Sequence, residues 1–393
     1  MSQIESFIEK TDSIHSVMSI VKGMCILQVN GVDLAIPFLV GNPGMAKTAL
    51  SKQMCFDSSW GFYSIHFGLI PIEEIGGLPQ FHQLNQDEVG TRWSKPDMLT
   101  KLEILSKKHE IVVCLFDDVH VCSQSHFNLM YEIFTERALR GYKFPDNVAF
   151  IMAGNPSAKA GAKPIPSAII NRGCYLPVHL DFEDWKRDFA LKNRLHGGIV
   201  AFLSNTKNEH CFHEAEQVSK PWASPRSWTR FSNLLTSMEE GLGKSLPSRQ
   251  VLYWGSAHVG EEKASLFSTY YKLFRNINTK DIFDGKQPIN VPTDMQGAYI
   301  YMMAMIDEFF NRFIDAHKNK KQNTTGKLID TLAQLIVRCA KNSFEEIAVP
   351  SLKEVVMTSG SLGYTTLYQD LRRSISRVDD KIREKLTGLV KEI

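Results

Sequence analysis

Three groups of residues in this 393-residue chain have the types and spacing that chemistry requires. The first is Gly41-Asn42-Pro43-Gly44-Met45-Ala46-Lys47-Thr48-Ala49, which follows the apolar run Ala35 to Val40. A buried strand that breaks at a Gly/Pro turn and re-enters a helix leaves backbone N–H groups unpaired at the helix N-terminus. The positive end of the helix dipole attracts an anion. Lys47 can reach the outer phosphates of a nucleotide, and the Thr48 hydroxyl can ligate Mg2+. The usual phosphate-loop pattern has Gly before the Lys, where this chain has Ala46. Read alone, the stretch also describes a tight strand-to-helix turn with a surface lysine.

The second group is Asp117-Asp118, at the end of the apolar, β-branched run Ile111 to Phe116. Carboxylates at the C-terminal end of a parallel strand lie on the edge where open α/β folds bind ligands. Asp117 can hold Mg2+ through its waters and Asp118 can orient or polarise an attacking water. The alternative for a bare Asp-Asp pair is a helix cap or turn. The third group is Gly154-Asn155-Pro156, after the run Asn147 to Ala153. Asn155 there can hydrogen-bond a nucleophilic water or a terminal phosphate, or simply form a turn. Farther on, Ser224-Pro225 is a cap-and-first-turn signal that places Arg226 in the first turn of a helix. A cation there opposes the macrodipole unless an anion is near.

The elements that must position these residues follow from periodicity. Strands are predicted at Asp33 to Val40, Tyr63 to Phe67, Ile111 to Phe116, Asn147 to Ala153 and Cys174 to Leu180, alternating with helices. That rhythm predicts a doubly wound, largely parallel five-stranded α/β sheet. Residues 1 to 22, with Ile4, Phe7, Ile8, Ile14, Val17, Met18 and Val21, read as an amphipathic helical lead-in. Cys25 to Asn30 reads as a further strand, joined to the first through a hairpin at Asn30-Gly31. Gly68 to Gly77 is expected to be a loop, and Thr91 to Leu99 to introduce a helix that runs to Lys108. A short helix is predicted from Pro164 to Arg172. From Phe182 the β character fades. Residues 182 to 275 read as helical and 278 to 292 as a linker. Helices follow at Met295 to Ala316, Lys327 to Lys341, Leu352 to Thr358 and Thr366 to Glu392. The expected domains are therefore 1–181, an α/β nucleotide-binding domain; 182–277, a helical lid; and 278–393, a linker and helical C-terminal domain. The Met and aromatic content of Met295 to Ala316 is expected to be packed core or a subunit contact.

Composition narrows the function classes. Lys plus Arg (45) nearly balances Asp plus Glu (43), a net charge of +2, so no strong electrostatic footprint for nucleic acid or an anionic membrane is present. Seven scattered cysteines without Cys-x-x-Cys spacing argue against zinc and against a disulfide framework. The N-terminus has no basic-then-apolar signal region, and no run of about 18 apolar residues occurs. A reducing cytoplasm is the expected location, with no membrane association.

Taken in order, Gly-x-Pro-Gly-x-Ala-Lys-Thr, the Pro71 to Gly76 loop, Thr91-Arg92-Trp93, the strand with paired acids, Gly-Asn-Pro, Ile169-Ile170-Asn171-Arg172-Gly173 and Ala223-Ser224-Pro225-Arg226-Ser227 resemble the MoxR-type branch of the AAA+ ATPases. In that branch Ala before the Lys is common. The resemblance spans residues 20 to 275. It implies that Lys47 and Thr48 belong to the Walker A loop, Asp117 and Asp118 to Walker B, Asn155 to sensor 1 and Arg226 to sensor 2. Arg172 matches the arginine finger that reaches a neighbouring subunit's nucleotide. ATP, Mg2+, a homo-oligomeric, hexameric ring, and an unidentified client or adaptor protein are implied with it. The family usually has Glu where Asp118 stands. One fewer methylene moves the carboxylate by more than about 1 Å, a misplacement that can cost about a hundredfold in rate. The resemblance thus admits a remodelling ATPase and a nucleotide-gated scaffold with slow hydrolysis. A clamp-loader-like nucleic-acid ATPase is a third reading, disfavoured by the near-neutral charge.

Overall fold

The computed structural model describes residues 14–32, 35–83, 88–155, 165–179, 182–206, 220–319, 321–342 and 344–391. The expectations for Ile4, Phe7, Ile8, Pro156 and Pro164 lie outside the described residues. The chain divides into two compact units, Met1–Leu180 and Asp181–Ile393.

The first unit is built on five strands, β1 (Ile36–Val40), β2 (Gly61–His66), β5 (Val112–Asp117), β8 (Val148–Gly154) and β9 (Gly173–Pro177), parallel throughout and ordered β2-β5-β8-β1-β9. Every residue of β1, β5 and β8 is buried. A strand alternates its side chains between faces, so full burial requires cover on both. One face, carrying Phe38, Val40, Cys114, Phe116, Phe150 and Met152, packs with Leu99 and Leu102 of α4 (Asp97–Ser106) and Phe127, Met130 and Ile133 of α5 (Gln124–Glu136). Helices α1 (Ile14–Val29) and α2 (Lys47–Asp57) also pack on the sheet, α1 on β8 and α2 on β2 and β5. The fold is therefore the expected α/β class, a five-stranded parallel P-loop sheet followed by a helical C-terminal region.

Three local expectations fail in this unit. Cys25 to Asn30 is not a strand but the end of α1, and the Asn30-Gly31 hairpin is absent. Gly31, at φ 76°, closes the helix instead: its N–H donates to Gln28 O (3.1 Å) and that of Val32 to Leu27 O (3.1 Å). This is a Schellman stop, and the same dipeptide serves either role. Buried Gln28 then does what the missing strand would have done. Its side chain donates to Phe150 O (3.0 Å) and accepts from Phe150 N (2.9 Å), two residues ahead of Met152, where pairing with β1 begins. The second miss is Thr91 to Trp93. These residues lie in β4 (Val89–Trp93), antiparallel to β3 (Pro79–Gln83), and α4 starts only at Asp97. The expected loop before it contains α3 (Ile72–Gly76). A second small hairpin, β6 (Ala138–Leu139) with β7 (Tyr142–Lys143), follows α5, and α6 (Ser167–Ile170) precedes β9.

The second unit is helical: α7 (Phe182–Trp185), α8 (Gly197–Asn205), α9 (Pro225–Leu242), α10 (Ser248–Val259), α11 (Glu261–Arg275), α12 (Thr279–Phe283), α13 (Met295–Lys318), α14 (Gln322–Lys341), α15 (Glu345–Ser361), α16 (Leu367–Val378) and α17 (Asp380–Lys391). Helix α13 is buried along most of its length through Met302, Met305, Phe309 and Phe313 and packs on α8, α14 and α15. Met302, Met303, Met305, Tyr301, Phe309, Phe310 and Phe313 are core, whereas Met295 at its start is exposed. The helix expected from Thr366 to Glu392 is instead two. Asp379 leaves the helix at φ −161°, its carboxylate accepts from Ile382 N (3.2 Å), and Lys341 holds it at 3.0 Å. An Asp that caps the next helix competes with continuing the previous one.

Candidate functional site

The loop Gly41–Ala46 leaves the C-terminal end of β1. Connections from β1 run toward β2 and those from β8 toward β9, so the β1/β8 boundary is the switch point of the sheet, where open α/β folds leave a crevice. Gly44 (φ 84°) and Ala46 (φ 57°) both take left-handed backbone, and together they turn the chain into α2. A Cβ on Gly41 would lie 2.8 Å from Val178 O, so only glycine lets the loop run this close to the end of β9. Lys47 folds back across the loop, donating to Gly41 O (2.7 Å) and Asn42 O (3.1 Å).

The acids come from the neighbouring strand tips. Strand β8 lies between β1 and β5, which puts Asn155, 2 % exposed, between the loop and Asp117-Asp118. Strands are spaced about 4.8 Å apart, so β1 and β5 are about 10 Å apart, and α2 bridges the gap. Thr48 Oγ1 donates to Asp117 Oδ2 at 2.5 Å, while Asp117 Oδ1 accepts from Asp118 N at 2.9 Å. Asp117 is 5 % exposed and turned toward α2. Asp118 takes left-handed backbone (φ 54°, ψ 38°), which sends its carboxylate the other way, onto His66 Nδ1 at 3.0 Å.

Two histidines thus belong to the site that sequence reasoning did not single out. His66 ends β2, in register with Asp117. The legible signal was a polar residue near the end of the predicted strand Tyr63 to Phe67. His120, half-buried just after the acids, accepts the backbone N–H of Asn155 through Nδ1 at 3.1 Å. Burial, the largest influence, pulls its pKa below the ordinary imidazole value, and Lys47 acts in the same direction against Asp118 and Asp117.

Whether these residues suit a magnesium nucleotide can be judged from their donors. Among the described residues, the N–H groups of Gly44, Ala46, Thr48 and Ala49 donate to no protein acceptor. They gather at a helix N-terminus, the arrangement that binds phosphate. Among the described residues no group of three His, Cys, Asp or Glu side chains could hold a metal ion. One hydroxyl and one buried carboxylate are what Mg2+ needs from a protein when phosphates and waters complete its shell. The residues fit.

Arg172 does not join this cluster. Arg172 lies at the opposite end of β1, where its carbonyl accepts from Ile36 N (2.7 Å), about 16 Å of strand from the loop. Its guanidinium stacks on Tyr131 of α5 at 4.1 Å and donates to Thr135 Oγ1 (3.2 Å) and Ala168 O (3.0 Å). Arg226 belongs to the second unit. There Ser224 caps α9, accepting from Ser227 N at 3.1 Å, Pro225 opens the first turn, and Arg226 is exposed.

No protein-family model matches the chain, and no curated protein does. Solved structures are similar. The Thermotoga maritima RuvB Holliday junction branch migration motor matches at 13% sequence identity over 70% of this chain and 76% of that one, with TM-score 0.32. A point mutant of the same RuvB matches at 14% identity over 68% and 75%, also at 0.32. Likeness at this level says nothing about activity. Among the described residues, no helix is long and apolar enough to cross a membrane.

Proposed function

We propose that this chain is an AAA+ ATPase of MoxR type that forms a homo-oligomeric, hexameric ring and couples ATP binding and hydrolysis to remodelling of a partner protein or complex. The observation that carries the reading is the Thr48–Asp117 hydrogen bond. It ties the loop helix to the tip of β5 and sets a hydroxyl beside a buried carboxylate, next to the N–H groups of Gly44, Ala46, Thr48 and Ala49, which among the described residues donate to no protein acceptor. In this reading Gly41 to Ala49 cradle the phosphates, Lys47 neutralises the outer ones, and Thr48 and Asp117 hold Mg2+. The ion supplies charge neutralisation on the phosphate oxygens. Asp118 orients the attacking water and takes its proton on a carboxylate oxygen, and Asn155 contacts the terminal phosphate. Arg172 serves a neighbouring copy, since its own loop is a strand's length away, and Arg226 takes the sensor 2 role that the resemblance implies. An arginine supplied in trans is worth about three to five orders of magnitude in phosphoryl transfer.

ATPase assays with Mg2+ on Lys47→Ala and Arg172→Ala test this. Both variants should lose turnover, with Arg172→Ala keeping its nucleotide affinity, and parental rates in both would refute the assignment. The His66–Asp118 contact favours a second reading, a nucleotide-gated scaffold with little turnover, because the carboxylate that would meet the water is already engaged. ATP-dependent assembly with negligible product formation would select it.

A further inference from the structure

We infer that His120 is the residue that positions Asn155 for hydrolysis, acting as a neutral hydrogen-bond acceptor at Nδ1. The inference rests on the ATPase reading above and adds a residue to its machinery. Strand β8 ends at Gly154, whose carbonyl is taken by Gly41 N (3.3 Å), so the next N–H, that of Asn155, has left the ladder. It donates to His120 Nδ1 at 3.1 Å. A buried N–H at a strand tip that loses its acceptor either swings away or stays unpaired, and both alternatives move the side chain it carries.

His120 is itself fixed. It sits in the 3-10 turn Val119–Val121 directly after the acids, where Val121 N donates to Asp118 O (3.0 Å) and Cys122 N to Val119 O (3.2 Å). A Cβ on Gly154 would come within 3.7 Å of His120 N, so the turn and the end of β8 are in close packing. The imidazole therefore links two strand tips, the one bearing Asp117 and Asp118 and the one bearing Asn155. A nitrogen that accepts an N–H carries no proton of its own. The ring must be neutral with its proton on Nε2, and any replacement must offer an acceptor at the same place.

Two substitutions separate positioning from packing. His120→Asn presents a carbonyl oxygen near the position of Nδ1, whereas His120→Leu fills comparable volume without an acceptor. With Mg2+ and saturating ATP, His120→Leu should lower kcat about tenfold and leave KM for ATP within about twofold, and His120→Asn should restore most of kcat. In 15N-imidazole-labelled protein, the Nδ1 signal of His120 should be that of an unprotonated acceptor. Should His120→Leu fail to fold, the Asn variant and the imidazole signal decide between the same two outcomes. Parental kcat in both variants beside an inactive Lys47→Ala control, or a protonated Nδ1, would overturn the inference and leave the ATPase reading standing. A Lys47→Ala control that hydrolyses ATP like the parent would overturn both.

Discussion

Gly41→Ala tests whether the loop is a cradle of fixed dimensions. The added Cβ would sit 2.8 Å from Val178 O, and ordinary van der Waals contact begins near 3.4 Å, so 3.4 − 2.8 = 0.6 Å of separation must be found. Neither side can give freely. Val178 N is bonded to Val40 O (2.7 Å) and Gly41 N to Gly154 O (3.3 Å), so moving the loop loosens the sheet ends on both sides of β1. Overpacking of this kind costs about 1–3 kcal/mol. At about 1.4 kcal/mol per tenfold, the lower part of that cost, taken up by the loop that holds the phosphates, is expected to weaken nucleotide binding by about tenfold. Titration calorimetry with Mg2+ and ATP or ADP reads the affinity, and urea unfolding reads the stability. Gly23→Ala is the control: it lies in α1, has nothing within 4 Å, and should stabilise by about 0.5–1 kcal/mol. If Gly41→Ala binds nucleotide like the parent at unchanged stability, the close approach of the loop to β9 is not what shapes the site.

Three further outcomes follow from the same geometry. Gln28→Leu strips both partners from the Phe150 peptide and should destabilise by about 2–6 kcal/mol, at about 1–3 per orphaned group, in urea unfolding. Asp118→Glu should raise turnover, by up to about a hundredfold, if reach limits hydrolysis. The left-handed backbone there suits Asp better than Glu and costs the variant about 1 kcal/mol, and unchanged or lower turnover would refute the reach argument. In the second unit burial pushes the Glu239 carboxyl up, but His196, Arg275 and the Tyr271 hydroxyl together outweigh it and hold the pKa below the ordinary value of 4.5. A depressed carboxylate adds stability above its unfolded pKa that is lost as pH falls through the folded one. Melting temperature should therefore fall below about pH 4.5, and Glu239→Gln should flatten that acid limb.

The local pattern of the chain determined the five strands of the parallel sheet, the loop and the order of the polar residues at the strand tips. These depend on short-range physics: burial on both faces makes a continuous apolar run, and a Gly/Pro break before Lys47 ends it. It left Asn30-Gly31 undecided, because a Schellman stop and a hairpin turn draw on the same positive-φ residues, and only the packing of α1 on β8 through Gln28 chooses between them. The partners of Asp118 and Asn155 were likewise beyond local pattern. His66 is 52 positions from Asp118 and His120 is 35 from Asn155. What brings each pair together is the strand order, which sets β2 and β8 on either side of β5. Which carboxylate faces α2 and which faces β2 is decided by one backbone angle at Asp118, a tertiary outcome that no periodicity encodes.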